Sequence, residues 1–247
     1  MKLASLKGGE DGRLVVVSND LAWFTEAGHI APTLKAALEE WERCEPQLRG
    51  LAESLEHGSV PKDRFHEHDA ASPLPRTWEG QEDFRAPREP IPLGAADGLD
   101  LSAGVAVVTG EAPQGAGPEE ASAAIRLVML CLRNATPGEA AKPASSFSPV
   151  AVTPDALEGW RDGRLTGCLE MELNGRLVTE PAERAFDFAA LVADAAKSQA
   201  LRVGSIVGAG DGAPKPALKA GDIGRIEMRD GKRHSIFGAI EQAVEPA

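Results

Sequence analysis

The sequence predicts a mainly β fold with a few covering helices, an α+β arrangement. Two observations carry this. Short apolar runs of strand length outnumber the stretches with helical period. Several gaps between them hold dipeptides that close tight hairpins, Asp11-Gly12, Asn174-Gly175 and Asp230-Gly231, so the sheet should be largely antiparallel. No internal repeat is visible.

Taken in order, Met1 to Leu6 and Arg13 to Ser18 read as a hairpin closed by Gly8-Gly9-Glu10-Asp11-Gly12. Thr33 can cap a helix whose Leu34, Ala37, Leu38 and Trp41 share a face, with Pro46 expected to stop it. A second amphipathic stretch, with Leu48, Leu51 and Leu55, ends near Gly58. From Ser59 to Gly98 periodicity gives way to proline, histidine and charge, which reads as loop and as the place for a domain boundary. The division expected is an N-terminal hairpin and helix domain over 1–72 and a larger β domain over 73–247.

Val105 to Thr109 is a strand, and a helix starts near Pro118, with Glu119 and Glu120 where the helix dipole favours them. Ile125, Val128, Met129 and Leu132 are expected to continue that helix's apolar stripe. Phe147 to Val152 is strand-like. Cys168 to Leu173 and Arg176 to Thr179 form a hairpin around Asn174-Gly175. Asp187 caps a helix carrying Leu191, Val192, Ala195 and Ala196. Ser205 to Val207, Ile223 to Met228 and His234 to Ile240 complete the strands.

Composition narrows the function classes. The formal net charge is −12, and a surface this acidic repels a phosphate backbone, so nucleic acid and anionic membrane are excluded as expected partners. No apolar run approaches the length of about 18 residues that a membrane-spanning helix needs. The start lacks the apolar core of a secretory signal, so cytoplasm is the expected compartment. Cys44, Cys131 and Cys168 are far apart and never in a C-x-x-C spacing, which argues against a disulfide framework and a thiolate zinc site. Tyrosine is absent, so no phenol is available as donor or acid.

Few motifs carry chemistry on their own. Gly208-Ala209-Gly210-Asp211-Gly212-Ala213 matches G-x-G-x-x-G/A, but a pyrophosphate needs a helix to begin there, and Pro214 and Pro216 oppose one. His57, His66, Glu67, His68 and Asp69 crowd a polar stretch that reads as solvated loop ahead of a metal site. Neither Ser102 nor Ser205 lies in G-x-S-x-G. By motif alone, the question of catalysis stays open.

Several stretches in one order nevertheless resemble the fumarylacetoacetate hydrolase family. They include Asp11-Gly12-Arg13-Leu14-Val15-Val16-Val17-Ser18, Ile30-Ala31-Pro32-Thr33-Leu34, Pro87-Arg88-Glu89-Pro90-Ile91 and Gly98-Leu99-Asp100-Leu101. Phe147-Ser148-Pro149-Val150-Ala151-Val152-Thr153-Pro154, Gly204-Ser205-Ile206-Val207-Gly208 and Ser235-Ile236-Phe237-Gly238-Ala239-Ile240 continue the series. The resemblance implies a small N-terminal β domain followed by a mixed β-roll, assembled as a homodimer. It also implies hydrolysis, decarboxylation or isomerisation of 2-oxo acid and β-dicarbonyl substrates, with a divalent metal held by carboxylates and a His–Glu pair activating water.

The implied apparatus is missing. Ser102-Ala103-Gly104 stands where the family carries its Glu-x-Glu ligand pair, and Cys131 runs directly into Leu132-Arg133-Asn134 where a ligand aspartate should follow. Only Thr77 to Glu82 remain where another ligand aspartate and the catalytic histidine belong. The stretch before Lys142-Pro143-Ala144 is shortened, and the closing glycine-threonine loop has become Gly210-Asp211. A hard cation needs several oxygen ligands, so no metal and no other cofactor is expected. Two readings follow: a fold repurposed for metal-independent chemistry on a small carbonyl compound (cyclisation, isomerisation or a related reaction, as in secondary metabolism), or a non-catalytic dimer that binds a ligand or partner. Under the first, Lys142 and Asp211 are the candidate catalytic residues, and Ser102, Gly104 and Arg133 the candidate substrate-binding residues.

Overall fold

A computed structural model describes residues 1–76, 84–93, 98–135, 144–178, 182–210 and 217–246. The chain opens with β1 (Lys2–Leu6), β2 (Arg13–Val17) and β3 (Trp23–Glu26), then α1 (Leu34–Glu39), α2 (Trp41–Glu56) and the short β4 (Asp63–Arg64). Next come β5 (Ile91–Leu93), β6 (Asp100–Thr109), α3 (Pro118–Ala124), β7 (Ile125–Ala135), β8 (Ala144–Phe147) and β9 (Ala151–Val152). The last part holds β10 (Trp160–Arg161), β11 (Arg164–Leu173), β12 (Arg176–Leu177), β13 (Ala182–Asp187), α4 (Phe188–Ala196), β14 (Ile206–Gly210), β15 (Ile223–Arg229) and β16 (Ser235–Pro246).

These strands make two sheets. One is nine-stranded in the order β14-β6-β7-β9-β1-β2-β3-β4, with β8 also on β7. The other is seven-stranded in the order β10-β11-β15-β16-β5, with β12 and β13 also on β11. The first sheet therefore runs without interruption from the N-terminal hairpin into the strands after residue 72, through β9, which pairs with both β1 and β7.

Alternation along the strands builds two cores on opposite faces of the first sheet. Leu101, Ala103, Val105 and Val107 of β6, with Val128, Leu130 and Leu132 of β7, pack toward the second sheet and α4. Ala106 and Val108, with Leu127, Met129 and Cys131, pack with Leu34, Leu38, Cys44, Leu48 and Leu55 of the helices.

Some expectations need correction. Residues 125–132 form a strand, because nearly every side chain there is apolar and both faces of β7 are buried; such a run satisfies a helical stripe and a doubly covered strand equally well. Pro46 lies inside α2 instead of ending a helix. The break falls earlier, at Glu40, whose carbonyl accepts from Arg43 N and Cys44 N, so Pro46 sits little more than one turn into a new helix. Phe147 to Val152 is divided between β8 and β9 by a bend at Ser148–Pro149, where Ser148 Oγ accepts from Leu130 N at 2.9 Å and donates to Val150 O at 2.9 Å. The stretch after Ser59 contributes β4 and β5, while Thr179, expected in the second hairpin strand, lies outside the described residues.

Other local signals appear as expected. Thr33 Oγ1 accepts from Ala36 N, and Asp187 Oδ1 accepts from Ala190 N. Asn174 and Gly175 both take positive φ, 52° and 72°, as a two-residue hairpin turn requires.

Candidate functional site

Ser102 and Arg133 are cross-strand partners on β6 and β7, and Arg133 is in turn opposite Ser145 on β8. Directly opposed residues share a face, so three adjacent strands present a polar row, Ser102–Arg133–Ser145. Ser102 and Arg133 are exposed and Ser145 is half-buried. Beside it runs a buried row: Gly210 opposite Gly104, Gly104 opposite Cys131, and Cys131 opposite Phe147. Phe84 closes one end by an edge-on contact with Phe147, ring centroids 5.0 Å apart.

Gly104 is a glycine for lack of space. A Cβ placed there would lie 2.0 Å from Ala209 O and 2.9 Å from Gly210 Cα. Both are backbone atoms of β14, so no side chain fits unless that strand moves. Ser102 Oγ lies 2.9 Å from where a Cβ on Gly210 would stand, which fixes β14 close over this end of β6.

Arg133 is the charged member of the polar row. Among the described residues the Arg133 guanidinium makes no ion pair. The Cys131 thiol is pushed up to about 12 by burial, with Arg133 pulling weakly the other way, so it is no nucleophile near neutral pH. On the opposite face of the same strands, Asn134 Nδ2 and Ser146 Oγ are buried without a hydrogen bond. Nothing in the sequence distinguishes these two from ordinary strand polars.

The structure thus brings Ser102, Gly104 and Arg133 together at one end of the sheet, with Gly104 contributing closeness and no side chain. Lys142 and Asp211 lie outside the described residues. The donor set at the Glu-x-Glu position does not fit a divalent metal: one hydroxyl, one glycine without room for a carboxylate, and a facing guanidinium.

The remaining motifs resolve structurally. Gly208–Gly210 belongs to β14, antiparallel to β6, so its described part is not the strand-to-helix turn that a dinucleotide needs. Ser205 Oγ donates to Arg202 O at 2.8 Å. Glu67 of the histidine-rich stretch pairs with Arg88 at 2.5 Å. No group of histidine, cysteine and carboxylate side chains among the described residues is arranged to hold a metal.

Comparison with known sequences decides the relationship. The profile described as fumarylacetoacetase N-terminal domain 2 matches residues 1–76, and that described as fumarylacetoacetate (FAA) hydrolase C-terminal matches residues 56–245. The chain belongs to the fumarylacetoacetate hydrolase family.

Solved structures agree on the fold. Maleylpyruvate hydrolase from Sphingobium sp. SYK-6 superposes with a TM-score of 0.73 at 17% identity, over 100% of both chains. That enzyme has also been solved with manganese(II) and pyruvate, and superposes then at 0.72. The fumarylacetoacetate hydrolase of Exiguobacterium antarcticum gives 0.69 at 13% identity, over 100% of both chains. The 5-carboxymethyl-2-hydroxymuconate delta-isomerase of Mycobacterium smegmatis gives 0.61 at 13% identity, over 100% of this chain and 99% of that one. A search of curated protein sequences returns no match. Structural neighbours in this family thus include both hydrolases and isomerases acting on small molecules.

Proposed function

We propose that this fumarylacetoacetate hydrolase-family protein acts without a metal on a small carbonyl compound bearing a carboxylate, held at the Ser102–Arg133 pair. The supporting observation is an inversion of charge. Where the family resemblance places two ligand carboxylates, this chain has a hydroxyl, a sealed glycine and an adjacent guanidinium with no ion pair among the described residues. A guanidinium fork matches a carboxylate in shape and charge. One relative was solved with manganese(II) and pyruvate, a 2-oxo acid, and Arg133 would supply from the chain itself part of the positive charge that a metal gives such a ligand.

In this reading Lys142 holds the oxygen on which charge develops when the carbonyl compound enolises. Asp211 accepts the proton leaving carbon and returns it at a second carbon in an isomerisation. Titration calorimetry with pyruvate and with oxalate tests the site. Binding should be the same with or without EDTA and should weaken at least about tenfold in Arg133→Ala, with Tm nearly unchanged. Binding that requires manganese, or that survives Arg133→Ala intact, overturns the proposal. Exchange of pyruvate methyl protons in D2O then separates catalysis from ligand binding alone. Exchange that is lost in Asp211→Asn supports the enzyme, whereas binding without exchange supports the non-catalytic reading.

We also infer a homodimer formed through the second sheet. At the start of β15, Ile223 is 46% exposed, and Leu177 on β12, in the neighbouring hairpin, is 53% exposed. Asn174 ties the two elements together, donating from its N to Ile223 O and accepting from Ile223 N.

A further inference from the structure

A cavity of about 1030 Å³ lies between the β1–β2 hairpin, α2 and the second sheet; Ser102, Gly104 and Arg133 take no part in its lining. Pockets for small ligands are typically of this size or somewhat smaller. Lys2, Val17, Leu157 and Leu165 line its buried part.

Lys2 is only 7% exposed. Its ammonium donates to two neutral carbonyls, Asn19 O at 2.9 Å and Ser235 O at 3.5 Å. Among the described residues no carboxylate lies within ion-pair distance of it. An ammonium has three N–H donors, so one remains for a group entering the cavity. A buried ammonium with no carboxylate in direct contact is expensive, and an anion arriving there would offset part of that cost.

The mouth has the opposite character. Exposed carboxylates at Glu53, Glu56, Glu158 and Glu183 ring it. The arginines on the same walls are committed elsewhere: Arg49 to Glu45 and Asp155, Arg229 to Glu170 and Glu227. A plain anion would meet this acidic rim on its way to Lys2, whereas a plain cation would meet the Lys2 ammonium; Asp20 and Asp230, which also line the cavity, accept from the backbone N–H groups of Ala22, Lys232 and His234. The walls between are apolar in part, with Ala52, Ala156 and Ile236.

We propose that this cavity binds a small zwitterion, its carboxylate on Lys2, its ammonium or guanidinium at the acidic mouth, and an apolar spacer between. The ligand class is that of amino acids with separated charges, independent of the chemistry at Ser102 and Arg133. The test uses ω-amino acids from 4-aminobutyrate to 8-aminooctanoate, with hexanoate and hexylamine as probes carrying one charge each. Calorimetry or ligand-observed NMR on the full chain should show one member of the series binding at least about tenfold more tightly than either single-charge probe. Lys2→Met should abolish that preference, and Arg133→Ala should leave it unchanged. The double variant Glu53→Gln/Glu183→Gln alters only exposed positions, so it reports even if Lys2→Met does not fold; it should reduce binding toward that of hexanoate. No preference for any zwitterion over both probes, or a preference indifferent to the double variant, overturns the proposal.

Discussion

At Gly104 a single absent methyl group decides what the neighbouring strand can do. Ala209 O and Gly210 Cα occupy the space that any side chain would need, so Gly104→Ala should cost at least about 2 kcal/mol in urea unfolding. Gly208→Ala on the same strand pair is the control. Its Cβ would meet nothing closer than Ala106 Cβ at 3.9 Å, so it should cost less than about 1 kcal/mol. Gly104→Glu, for the same reason as Gly104→Ala, should not create a manganese site. Lys2 makes a second prediction. Burial lowers its pKa to about 8, although Asp230, Asp20 and Glu56 pull upward. Met1, Arg49, Arg229 and His234 also face the cavity. Between the folded value of about 8 and the unfolded value of 10.5, the unfolded chain binds more protons, so this group's contribution to stability rises with pH across that window. The full gain is at most about 3 kcal/mol. Cys131 acts in the opposite sense, since its thiol ionises at 9.0 unfolded and at about 12 folded, which lowers stability as pH rises through that interval. The difference between wild type and Lys2→Met, measured by denaturation from pH 7 to 10, isolates the lysine. Neither residue announces itself in the sequence. Gly104 can be read there only as a missing carboxylate, because its closure depends on pairing with a strand more than a hundred residues away. Lys2 stands on its strand like any solvent-facing residue, and its contacts with Asn19 O and with Ser235 O at the start of β16 are made by segments distant in sequence.

Elements were legible where the signal was local. Thr33 and Asp187 cap their helices, and Asn174-Gly175 turns its hairpin, because each effect acts within three or four residues. Legibility failed where tertiary burial on two faces erased the period, as in β7, and where a proline was tolerated. At Pro46 the missing N–H leaves Glu42 O without its partner four residues on, but the position is exposed and Cys44, Leu48 and Leu55 still anchor α2 in the core. Pro46→Ala should therefore stabilise the protein by about 1–3 kcal/mol, seen as a higher denaturant midpoint with unchanged slope. A lower midpoint would mean that the ring contributes packing that outweighs the hydrogen bond it removes.

On the scale of the whole molecule, the proposed homodimer is the first thing to measure. Light scattering at micromolar concentration should give twice the chain mass, and Leu177→Asp/Ile223→Asp should shift it toward the monomer without lowering the helix and strand content seen by circular dichroism. A wild-type monomer would end that inference. The family's two sequence units, which overlap across residues 56–76, share one uninterrupted sheet, and the two-residue strand β9 is the joint. That joint has a consequence for biosynthesis. Lys2 and Leu3 complete their pairing only with Val152 and Ala151, which leave the ribosome roughly 150 residues later, on the order of ten seconds at ordinary elongation rates. Throughout that interval the nascent hairpin carries an open edge of the kind that recruits other nascent chains. A lysine on such an edge is a standard safeguard against mispairing, so Lys2 would protect the chain before its partner strand exists and only later line a cavity.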